Sequence, residues 1–124
     1  MRALGIAALV LALVPVAASA ADDPLATAYG NTMVIVDNDG VESHLYYNAN
    51  HTFKGRVPSA DYDYKGTWKM DDSGTICRTY SETIPGVPNP DCDAEPATSH
   101  NIGDGWTSTS RGKTYTITIK PGIM

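Results

Sequence analysis

Three histidines, two cysteines and several paired carboxylates are the residues of this chain with the means to do chemistry. His44 lies in a stretch that reads as strand, and His51 lies in the turn after it. Joined by a third donor from Asp39, Glu42 or His100, they would hold zinc, which takes three or four N, O or S ligands in a tetrahedral array. No spacing supplies that third donor, so His44 and His51 are weak metal candidates and no cofactor is expected. Asp37-Asn38-Asp39-Gly40 with Glu42 opens like a calcium loop. Its twelfth position, however, is Asn48 where a bidentate Glu is required, and its flanks read as strands. A hairpin turn is the simpler reading. Nucleophilic catalysis needs a Ser or Cys beside an oriented base, and no serine occupies a Gly-x-Ser-x-Gly elbow. The pairs Asp61/Asp63, Asp71/Asp72 and Asp91/Asp93 fall in or beside turns, where solvation accounts for them. The chain is therefore read as a non-enzyme.

Cys77 and Cys92 take their meaning from the start of the chain. Met1-Arg2 gives a positive start, Ala3 to Val14 is apolar, Pro15 breaks the run, and Ala18-Ser19-Ala20 is the small-x-small pattern of a signal peptidase site. Residues 1–20 read as a signal peptide cleaved after Ala20 or Ala21. The run is too short to span a bilayer, which takes about 20 apolar residues, so no membrane anchor is expected after cleavage. Export delivers the cysteines to an oxidising compartment. A Cys77–Cys92 disulfide would close a loop of about 15 residues and stabilise the domain by roughly 3 kcal/mol. That loop holds Pro85, Pro88 and Pro90 and has no apolar periodicity, so a covalent tether suits it.

Aromatic residues are the other concentration of chemical character. Tyrosine and tryptophan bury a large apolar body while keeping a polar handle. Tyr62, Tyr64, Trp68 and Trp106 are the candidate lining of a ligand pocket, and the alternative is that these rings simply fill a small core. Nine basic against fourteen acidic residues give a net charge of −5. Loss of Arg2 with the signal makes the remainder one unit more negative. That balance argues against nucleic acid and anionic membrane surfaces, which select basic patches.

The elements that must position these residues read as strands throughout. Residues 21–30 look like a flexible leader, and 31–124 form a single β domain. Short strands are expected at 32–36, 41–47, 52–57, 62–70, 75–80, 106–110 and 113–120, separated by Asp-, Asn- and Gly-rich turns. The clearest is 62–70, where Tyr62, Tyr64, Gly66, Trp68 and Met70 share one face and Asp63, Lys65, Thr67 and Lys69 the other. Gly66 inside it marks a bulge or a close approach of another side chain. His51-Thr52-Phe53, Gly74-Thr75-Ile76 and Lys113-Thr114-Tyr115 repeat one hairpin chemistry. The series is expected to be a small all-β antiparallel meander, closing into a barrel or folding over as a curled sandwich to hide its edges.

Tyr47-Asn48-Ala49-Asn50-His51-Thr52-Phe53-Lys54-Gly55, followed by Gly66-Thr67-Trp68-Lys69-Met70-Asp71-Asp72-Ser73-Gly74-Thr75-Ile76-Cys77, resembles a loose group of small exported proteobacterial proteins. These share a second cysteine and a Gly-Asp-Gly-Trp-like corner. The resemblance implies a lipocalin-like barrel and carries no catalytic residue. The expected role is binding of a small apolar or amphipathic ligand in the periplasm or outside the cell. The alternatives are a protein-interaction module or inhibitor of an envelope protein acting through loop 82–96, and a metal-binding protein or metal-dependent enzyme.

Overall fold

The structure, a computed structural model, describes residues 23–124. The signal-peptide reading lies outside the described residues. Eight antiparallel strands form one curled half-barrel sheet: β1 (Thr32–Asp37), β2 (Glu42–Tyr47), β3 (Thr52–Val57), β4 (Tyr62–Met70), β5 (Ile76–Tyr80), β6 (Asp91–Cys92), β7 (Gly105–Ser110) and β8 (Lys113–Lys120). Their order across the sheet is β6-β5-β4-β3-β2-β1-β8-β7. The first strand therefore sits in the middle, laddered to β2 on one side and to β8 on the other. The expected all-β antiparallel meander is present as a single curled sheet that stops at a half-barrel, with β6 and β7 as its edge strands.

Period-2 alternation sends one row from every strand inward. Met33, Leu45, Tyr47, Phe53, Trp68, Ile76 and Ile119 make the buried cluster, with Ile35, Tyr64, Tyr80, Trp106 and Ile117 packed against it. Phe53 is its centre, 1 % exposed. Gly66 faces Phe53 across the β3–β4 ladder. A Cβ at Gly66 would overlap the Thr79 carbonyl oxygen and press on the Phe53 ring, so this is the close approach that its place in the strand implied.

Three hairpins share one turn. Asp37 N–H donates to Val41 O and Gly40 N–H to Asp37 O, both at 3.0 Å; Asp71, Gly74 and Thr75 repeat the pattern, and so do Asn48, His51 and Thr52. The Asp37 and Asp71 carboxylates each accept two backbone N–H groups of their own turn. These bonds favour the ionised form and hold both carboxyls below their usual range, the Val41 amide leading at Asp37 and Ser73 at Asp71. The closing residue has positive φ in all three turns: 83° at Gly40, 89° at Gly74 and 70° at His51.

Two expectations are corrected. Residues 23–30 do not form a free leader, because Leu25 and Ala28 enter the core from a 3-10 turn at Ala26–Ala28. Asp23 fixes that turn by accepting from Leu25 N–H at 3.0 Å and from the Tyr29 hydroxyl at 2.8 Å. Within the proline-rich loop, Asp91–Cys92 forms a strand paired with Cys77-Arg78, too short to show a period in sequence.

Candidate functional site

The four aromatic candidates part company. Trp68 is buried, its indole N–H donating to Asn48 O at 3.1 Å. Its ring lies under the His51 imidazole, centroids 4.1 Å apart at 13°, and also meets Tyr29 and Tyr47. Trp106 is on β7, stacked on His100 at 3.5 Å. Trp68 belongs to the core cluster, and Trp106 packs against that cluster from the edge strand. Tyr62 and Tyr64 lie together, rings 6.2 Å apart, and line a concavity over β3 and β4.

That concavity measures about 520 Å³. Its walls include Tyr46, Lys54, Arg56 and Lys65 beside the two candidate tyrosines, with Glu82 at the start of the proline-rich loop. Tyr64 lies across Gly55, where a Cβ would overlap its ring. Burial and the neighbouring Tyr80 push the Tyr64 phenol up to about 12, so it stays protonated and apolar in character at neutral pH. Arg56 closes one side, donating to Asp61 at 2.5 Å and to Asp63 at 2.9 Å. A second concavity of about 470 Å³ adjoins it and shares Lys54, Lys65 and Ser81. The lysines gave no signal in sequence because their pairing depends on the β3–β4 register.

The histidines do not converge. His44 on β2 contacts the Glu42 carboxylate at 2.5 Å, while His51 is committed to its stack on Trp68. Among the described residues no three His, Cys, Asp or Glu side chains are grouped as a metal would require.

Cys77 and Cys92 are disulfide-bonded, as a directly opposed pair on β5 and β6. Beyond them the proline-rich loop is anchored by Asn89, whose side chain accepts from Tyr80 N–H at 2.9 Å and donates to Tyr80 O at 3.1 Å. On the inward side of the same strands is an ionic cluster that sequence reading missed. Asp91, 6 % exposed, accepts from Arg111 at 2.8 Å and lies 3.7 Å from Arg78. Arg78 donates to Asp93 at 2.5 Å and to the Tyr47 hydroxyl at 2.9 Å. Burial raises the Tyr47 and Tyr80 phenols, with Arg78 opposing the shift in both. Arg111 belongs to the β7–β8 turn, so its bond to Asp91 joins the two free edges of the sheet.

No family model, curated protein or solved structure matches the chain. No helix among the described residues is long and apolar enough to cross a membrane.

Proposed function

We propose that the protein is an exported bacterial binding protein that acts without chemistry on its ligand, a small amphipathic molecule held in the concavity over β3 and β4. The observation that carries this reading is the concavity itself. Its volume of about 520 Å³ suits a small molecule, and on its charged side the β2–β3 and β3–β4 registers set Tyr46 beside Lys54 and Lys65. Apolar rings next to fixed charge favour a ligand with an apolar body and a polar end. The Ala18-Ser19-Ala20 pattern and the resemblance to exported proteobacterial proteins support a periplasmic or extracellular location. The Cys77–Cys92 disulfide is consistent with that oxidising setting. Native mass spectrometry of the protein purified from its own host tests the reading. A small-molecule mass excess, lost on organic extraction and displaced by added amphiphile, is expected. A bare protein mass, together with no amide shifts around Tyr62 and Tyr64 on titration with amphiphiles, would sink it.

One observation favours a second reading, an interaction module acting through loop 82–96. The disulfide and both Asn89 bonds tether this loop while Glu82, Thr83, Pro85 and Pro88 stay exposed. A tethered loop loses little entropy on binding. Capture of an envelope protein that is lost on replacing residues 83–88 by a Gly-Ser stretch would support it, and capture unaffected by that change would exclude it.

A further inference from the structure

The β3–β4 register sets Lys54 and Lys65 directly opposite one another. Side chains paired this way project to the same side with Cβ atoms about 5 Å apart, and like charges there repel. The other charged pair on that side obeys the usual rule: Arg56 faces Asp63 and bonds to it. Of the other cations, Lys113 is matched by Asp37 and Asp39, Arg78 by Asp91 and Asp93, and Arg111 by Asp91. Among the described residues Lys69 and Lys120 make no ion pair, and they face no second cation across a ladder. Among the described residues neither Lys54 nor Lys65 is ion-paired.

Both lysines line both concavities and so stand where the two adjoin. No carboxylate lines the second concavity, whose walls carry the Thr67, Thr79 and Ser81 positions. In a chain of net charge −5, this is a local reversal of sign. An anion seated between the ammonium groups would turn their repulsion into two charge-assisted contacts.

We infer that Lys54 and Lys65 hold the anionic headgroup of the ligand, an amphipathic carboxylate. Its apolar body then runs into the neighbouring concavity along Tyr46, which the β2–β3 register sets directly beside Lys54. The inference rests on the binding reading above and adds to it the chemical class of the ligand and the residues that select it.

Calorimetric titration of the protein, purified after export from its host, with decanoate, decan-1-ol and acetate tests both at once. Ionic strength is held fixed, because exposed charges are screened by salt. Decanoate is expected to bind at least about tenfold more tightly than decanol, with acetate weakest of the three. Lys54→Gln with Lys65→Gln is expected to erase the preference for decanoate over decanol, while Tyr46→Ala weakens both amphiphiles. Equal affinities for decanoate and decanol in the unmodified protein would overturn the headgroup assignment and leave the binding reading standing. A decanoate preference that survives intact in the double variant would overturn the role of the lysines. No binding of either amphiphile would remove both readings.

Discussion

The β1–β8 junction and the β6/β7 seam both hold the half-barrel together, and they do so by opposite means. At β1–β8, six residues of each strand pair through a continuous ladder backed by Met33, Ile35, Ile117 and Ile119. At the seam no strands pair, and the bridge is a charged side chain, Arg111, reaching Asp91. A ladder spreads its stabilisation over many bonds of about 1 kcal/mol each. A buried ionic bridge concentrates it, since removing one partner leaves the others charged, desolvated and unmatched. The lesson is that stability in this fold is local at the seam and distributed at the junction.

Substitutions can break or sharpen that contrast. The largest effect is expected for Asp91→Ala, which strips Arg78 and Arg111 of a shared buried partner; urea denaturation should show a loss of about 3–5 kcal/mol. Replacing Cys77 and Cys92 together by serine untethers the same edge and should cost about 3 kcal/mol by the same measurement. Alkali should act next. The Tyr64 phenol is raised to about 12 in the fold, against about 10 in an unfolded chain. Its contribution is complete below pH 10 and is lost as pH climbs from 10 through 12. Tyr64 alone accounts for about 3 kcal/mol of that loss. The raised Tyr47 and Tyr80 phenols add to it in the same direction. Urea midpoints alongside tyrosinate absorbance read the whole, with a Tyr64→Phe variant isolating the Tyr64 share. His51→Ala should cost about 1 kcal/mol, since alanine keeps the strained positive φ and loses the Trp68 stack; His51→Gly should cost less, because glycine relieves φ. Thr116→Ala, at an exposed position of the β1–β8 ladder, should change stability by less than about 0.5 kcal/mol. A Thr116 effect as large as that of Asp91 would dissolve the contrast.

The His51 turn also marks how far residue type alone can be read. Alternation in Tyr62–Met70 and in Thr114–Ile119 was enough to locate β4 and β8, because a half-buried strand leaves a period-2 trace. Recurrence of an Asp/Asn turn before a Thr–apolar pair holds at His51-Thr52-Phe53 and Gly74-Thr75-Ile76. Lys113-Thr114-Tyr115, however, follows a different, two-residue Arg111-Gly112 turn, and the third copy of the shared turn is at Asp37–Val41. The seam left no such trace: Arg111 sits in a turn, where arginine reads as a solvated charge, and its partner is 20 residues away in a loop. Leu25 and Ala28 were hidden in a short segment without a period, since their burial comes from packing against residues distant in the chain. Among the site residues, Tyr62 and Tyr64 meet because they are two apart on one strand. Trp68 continues the same row yet lies under His51, a consequence of the turn that no period contains. The pairing of Lys54 with Lys65 depends on register, which the hairpin between β3 and β4 sets only through the 3-10 turn at Pro58–Ala60.

The position of β1 at the middle of the sheet has a kinetic consequence. Thr32 is bonded through its hydroxyl to Gly122 O, 90 residues further along the chain. The hairpins from β1 to β5 can form early from local contacts, whereas the β1–β8 ladder must await the last strand and meet the entropy of a long loop closure. Until then β1 carries Met33, Val34 and Ile35 on an open edge, the kind of surface that other chains find first. Docking of the β7–β8 hairpin is thus expected to be the late, rate-limiting event, and it is the same event that carries Arg111 to Asp91.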